Sequence, residues 1–197
     1  MTEKDVDTFC GLLQYLPADQ LLSLYCECFS PFTVVWRTPA HAILCIRTWL
    51  RNVPTPQERL FDLAVLYSRL IPAGAFRPWM LFHLDTPFDE IDAFVFLETL
   101  SNRMKICTSG YTKSTSFLSC CVFLEDGDVA FEHRLICFNM WLNHPFLAIH
   151  APGTISHSER LQTALEAVLG NPEKCLHGYY EELSSAYAHV LELQMKL

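Results

Sequence analysis

Cysteine and histidine are the residues of this chain most able to do chemistry, and their spacing decides what chemistry is open to them. Nine cysteines and eight histidines supply thiol and imidazole in quantity. Cys26-x-Cys28 and His133-x3-Cys137 are two potential ligand pairs, with His144 and His150 downstream. Neither pair has the Cys-x2-Cys spacing of common structural zinc sites, and residues two apart on a helix point to different sides. Neither a metal nor any other cofactor is therefore expected. No cysteine lies in a nucleophile signature, the count is odd, and the N-terminus reads as lacking an export signal, so buried free thiols are expected. Glu181-Glu182 falls on a periodic polar stretch, where solvated charge explains it better than a glycosidase pair. The seven glycines are scattered singly, which leaves no phosphate-binding loop and no dinucleotide fingerprint. Binding without catalysis is the expectation.

Charge is the stronger signal. The net charge of −8 hides alternating blocks. Residues 37–77 carry Arg37, Arg47, Arg51, Arg59, Arg69 and Arg77 against only Glu58 and Asp62, and residues 101–120 carry Arg103, Lys105 and Lys113 with no acid. Residues 1–36, 78–100 and 121–197 are each net acidic. Basic blocks that share a face would polarise the molecule. These basic side chains form the candidate site for an anionic membrane surface, each contributing about 1 kcal/mol near charged lipid, enough to hold only when many copies bind together. Acidic and basic segments on one molecule would also let copies join head to tail into an open array.

The elements that must position these residues read as helices. Thr38-Pro39, Thr55-Pro56, Thr86-Pro87 and Asn171-Pro172 each place a capping side chain before proline at the first helical position, and Glu58, Asp89 and Glu159 stand at the third helical position after Thr55, Thr86 and Ser156, as in a capping box. The spacing predicts helices over 3–15, 18–29, 39–51, 56–71, 87–105, 114–125, 128–142, 157–169 and 172–196, with a short helical turn near 77–83. Leu60, Leu63, Ala64 and Tyr67 recur at helical spacing, with Arg59, Asp62 and Arg69 opposite. The final helix is read as a long one with a seam from Leu176 to Gln194. His144 to Gly153, with Pro145 and Pro152, is read as a linker. No apolar run is long enough to span a bilayer, and Met1-Thr2-Glu3-Lys4-Asp5 is no signal peptide, so the protein is expected to stay where it is made. At 51% hydrophobic and 18% charged, the composition suggests apolar surface left for a partner.

The order of elements resembles the orthomyxovirus matrix proteins. The residues that carry the likeness are Thr2-Glu3-Lys4-Asp5-Val6, Gln14-Tyr15-Leu16-Pro17, Thr48-Trp49-Leu50-Arg51-Asn52-Val53-Pro54, and the apolar run Leu60 to Tyr67 ending at Ile71-Pro72. Ser116 to Leu124, followed by Gly127 to Phe131 and Leu135-Ile136-Cys137, is similar to that family's middle helix pair. The length favours the shorter isavirus type. The resemblance implies an all-α fold of two packed helical-bundle lobes, with a linker near 72–86. The divisions are 1–74, 75–145 and a C-terminal helical segment, 146–197. It also implies a structural protein of the virion that polymerises beneath the envelope, binds anionic membrane and links to viral ribonucleoprotein. Its places would be the virion, the host cytoplasm, the inner face of the plasma membrane and the nucleus. Two departures stand out: the family's dense basic cluster survives only as Arg103 and Lys105, leaving RNA contact and nuclear entry open, and its Cys-Cys-His-His set at most as Cys137, His144 and His150. The rival reading is a ubiquitin-ligase adaptor, because Leu16-Pro17 resembles the start of an F-box and Ser23-Leu24-x3-Cys28 an elongin-binding box.

Overall fold

The computed structural model describes residues 3–29, 38–124, 134–151 and 159–195. In chain order the elements are α1 (Glu3–Leu13), α2 (Ala18–Phe29), α3 (Pro39–Asn52), α4 (Pro56–Leu70), β1 (Trp79–His83), α5 (Glu90–Met104), β2 (Ile106–Lys113), β3 (Phe117–Leu124), β4 (Arg134–Trp141), β5 (Phe146–His150), α6 (Glu159–Leu169), α7 (Pro172–Cys175), β6 (Leu176–Tyr180) and α8 (Leu183–Gln194). The strands form one antiparallel six-stranded sheet in the order β2-β3-β4-β5-β1-β6.

Strand alternation divides the core in two. Trp79, Leu81, Cys121, Phe123, Cys137, Trp141, Phe146 and Ala148 point to one face, where they pack with α1 to α4 and α8. Phe82, Leu118, Cys120, Val122, Ile136, Phe138, Met140, Leu147 and Ile149 point to the other, beneath α5 and α6. The molecule is thus a sheet between two helical layers.

The all-α, helical-bundle expectation is overturned by this sheet. Residues 114–125 and 128–142 were expected as helices, and the resemblance made them a helix pair. Their described parts are instead β3 and β4, paired from Phe117↔Trp141 to Leu124↔Arg134. The physical reason is burial on both faces: such a strand needs an unbroken apolar run, and that run does not distinguish strand from buried helix by periodicity. The turn near 77–83 is strand β1, and the linker at 144–153 contains strand β5. The final helix breaks at β6, where Leu176 to Tyr180 run beside β1 instead of forming a seam.

Three of the four proline-marked caps, at Thr38, Thr55 and Asn171, start helices where the sequence directs, and the fourth, at Thr86, does not. Thr38 accepts a hydrogen bond from His41 N–H, and Thr55 and Glu58 form the reciprocal box. Asp89, not Thr86, caps α5, because Asp92 supplies the returning carboxylate. Asn171 caps a helix of a single turn. Ser156 lies outside the described residues.

Candidate functional site

A groove runs across the α1–α4 side of the sheet, and the chain around Gly74 builds one of its lips. Gly74 takes φ +76 at the end of α4, while its N–H donates to the Ile71 carbonyl and that of Ala75 to Leu70. That left-handed closure suits glycine and turns the chain away from the helix axis. Pro72, Ala73, Gly74 and Arg77 therefore line one side of a cavity of about 490 Å³. Glu182, Leu183, Ser184 and Tyr187, at the start of α8, line the other.

Phe117, Asn139 and Trp141 form the floor. Trp141 stacks on Tyr187, with ring centroids 5.5 Å apart and planes 17° apart. Asn139 is 2% exposed, and its side-chain oxygen accepts a 2.7 Å hydrogen bond from Ser119, its neighbour across the strands. A second cavity of about 330 Å³ shares Pro72, Ala73 and Phe117 with the first and is lined further by Leu16, Leu24 and Arg69. The two cavities adjoin at Pro72, Ala73 and Phe117, with Arg77 lining one and Arg69 the other. Arg77 meets Glu182 at 2.7 Å, and Ser184 donates to the same carboxylate at 3.3 Å.

The basic residues of the sequence fall into separate groups. Arg37 lies outside the described residues. Arg47 and Arg51 both approach Asp7 of α1, at 3.4 and 3.5 Å, and Arg59 donates to the Arg51 and Val53 carbonyls at the end of α3. Asp7 joins Arg47 and Arg51, and Nη2 of Arg59 caps the end of α3. Arg69 and Arg77 belong to the groove. Arg103 and Lys105 mark the exposed end of α5, with Lys105 in the left-handed conformation at φ 52. Lys113 ends β2, an edge strand. The groove's aromatic floor was not legible as a site, since Phe117 and Trp141 were read as parts of helices.

The buried thiols offer little reactivity. Cys10, Cys26, Cys45, Cys107, Cys120, Cys121, Cys137 and Cys175 are not in disulfides. Burial pushes the pKa values of Cys10, Cys120 and Cys121 upward, so these remain thiols and not thiolates. Cys121 and Cys137 face each other across β3 and β4 with sulfurs 3.2 Å apart. His133 and the side chain of Cys28 lie outside the described residues. Among the described residues no three His, Cys, Asp or Glu side chains are grouped to hold a metal ion, and no helix is long and apolar enough to cross a membrane.

The opposite layer carries an exposed apolar strip. On α5, Ile91 is 72% exposed and Val95 55%, one turn apart, with Asp92 and Glu98 exposed beside them. No family model matches the chain, and no curated protein matches it either.

Proposed function

We propose that this protein is a non-catalytic, self-assembling unit in which α5 of one copy seats in the groove of the next. The observation that carries the reading is the match between two surfaces on opposite sides of the sheet. One is an aromatic groove with Arg69 and Arg77; the other is an exposed helix face that alternates Ile91 and Val95 with Asp92 and Glu98. Apolar side chains would fill the cavity, and the carboxylates would meet the arginines at its rim. Burial would supply most of the affinity, and charge would set orientation.

Because the two surfaces are different and sit on different layers, the contact is heterologous and does not close on itself in a dimer. Repetition gives an open array, which fits the head-to-tail assembly expected from the charge blocks. An array of this kind would display Arg47, Arg51 and Arg59 many times over, the condition under which weak attraction to an anionic surface becomes useful.

Sedimentation velocity over roughly a hundredfold range of concentration tests the reading. The native chain should grow into a ladder of oligomers. A groove-blocked variant, Arg77→Glu with Tyr187→Glu, should stay monomeric, as should a plug-blocked variant, Ile91→Lys with Val95→Lys. Mixed together, the two should form dimers and nothing larger, because each retains one working surface. A monomeric native chain at the highest concentration, or growth by either variant alone, overturns the proposal.

A further inference from the structure

At the far edge of the sheet, β6 and α8 bring two imidazoles together in a way the groove does not use. The pairing of β1 with β6 slips between Leu81 and Phe82, so that Gly178 opposes Leu81 while Leu176 opposes Phe82. His177 is the extra residue at this bulge. A bulge re-aims a side chain that regular alternation would send elsewhere, and here His177 meets His189 of α8. Their Nε2 atoms stand 2.9 Å apart, with ring centroids 5.0 Å apart. Both residues reach solvent: His177 is exposed and the His189 side chain is 34% exposed.

We propose that His177 and His189 form a two-imidazole site for a late first-row divalent cation with tetragonal preference, copper(II) or nickel(II), with water completing the coordination. Two nitrogens bound to one ion at about 2.0–2.1 Å stand about 2.9 Å apart at a right angle and about 3.3 Å apart at the tetrahedral angle. The observed 2.9 Å is the hydrogen-bond separation of the metal-free pair, close enough that one ion could replace the shared proton, and a pair of imidazoles with open positions for water suits copper(II) and nickel(II). The ring planes stand 30° apart, and aiming both nitrogens at a common point needs a movement about the broad terminal torsion of each histidine ring.

The surroundings suit the same role. The Glu192 carboxylate lies 3.8 Å from Nδ1 of His189, on the side away from His177. At that distance the carboxylate makes no hydrogen bond, but its charge favours the tautomer with the proton on Nδ1 and Nε2 free, and a small approach would give the carboxylate–histidine pairing common at ligating histidines. Without metal, His177 Nε2–H then donates to His189 Nε2. On binding, the cation takes the place of that proton, which relocates through solvent to Nδ1 of His177. Both rings stay neutral and no redox step is involved. Tyr180 flanks His189, with ring centroids 5.7 Å apart, and closes one side of the site.

Nickel(II) alone is the probe, since it spares the thiols from oxidation. Calorimetric titration of the full chain near neutral pH should show a saturable site. His177→Ala and His189→Ala should each weaken it roughly tenfold or more, whereas His41→Ala, on α3, should leave it unchanged. Far-ultraviolet circular dichroism verifies that each variant is folded. Zinc(II) should bind more weakly than nickel(II). Absence of saturable nickel binding by the native chain, or equal binding by a folded His177→Ala/His189→Ala double variant, overturns the proposal.

Discussion

Asn139 and Ser119 fix the groove floor because both are buried and each is the other's partner. Replacing Asn139 by Leu strands the Ser119 hydroxyl in an apolar layer, and an unsatisfied buried group costs about 1–3 kcal/mol. The urea midpoint of Asn139→Leu should therefore fall, and adding Ser119→Ala should recover part of the loss. A second residue gives a pH dependence of known sign. His150 packs between Phe76 and Trp79, and its Nδ1 lies 2.9 Å from the Pro78 carbonyl, to which Nδ1–H donates. Burial holds its pKa below the ordinary 6.5, while the Pro78 bond pulls weakly the other way. The unfolded chain then binds the proton more readily than the folded one, so the contribution is complete above 6.5 and is lost as pH falls through that value toward the folded pKa. Urea midpoints at about pH 7.5 and pH 5.5 should differ more for the native chain than for His150→Gln. Neither role was legible in the sequence: Asn139 sat in a presumed helix, and His150 was weighed only as a metal ligand.

The elements were legible in proportion to how local their signals are. Thr55, Pro56 and Glu58 specify the start of α4 among themselves, and Leu60, Leu63, Ala64 and Tyr67 specify its buried side. Phe117 to Leu124 specify burial but not conformation, because a strand covered on both faces shows no alternation. What makes them strand is the partner chain of β4 and the helices above and below, none of which is local. Gly110 shows how closely these layers meet. A side-chain carbon built there would fall inside the backbone of Ala64 and Val65 on α4, so the helix lies directly on β2. Gly110→Ala must push α4 away from the sheet, at a cost of about 1–3 kcal/mol, and thermal denaturation should show the loss. The same substitution at Gly11, where the space is open and α1 is helical, should be neutral or stabilising.

At the scale of the whole molecule, the alternating charge blocks pointed to head-to-tail contact, but sequence alone could not say which charges remain available. Folding places Arg47 and Arg51 beside Asp7 with their side chains still partly exposed, and turns Arg59 toward the end of α3. It places Arg77 in the groove already facing a carboxylate, that of Glu182. Under the proposed assembly, Glu182 occupies the position that an acidic side chain of the neighbouring α5 would take, and so competes with assembly. The pair is partly exposed, with side chains 58% and 45% accessible, so its own contribution to stability is small, and exchanging one carboxylate partner for another is easy. Glu182→Gln removes the competitor's charge while keeping its size. It should shift the light-scattering onset of association to lower protein concentration, leave the melting temperature nearly unchanged, and increase the sensitivity of association to added salt, because Arg77 would then be compensated only between copies. An unchanged or higher onset concentration would show that Arg77 takes no part in the contact.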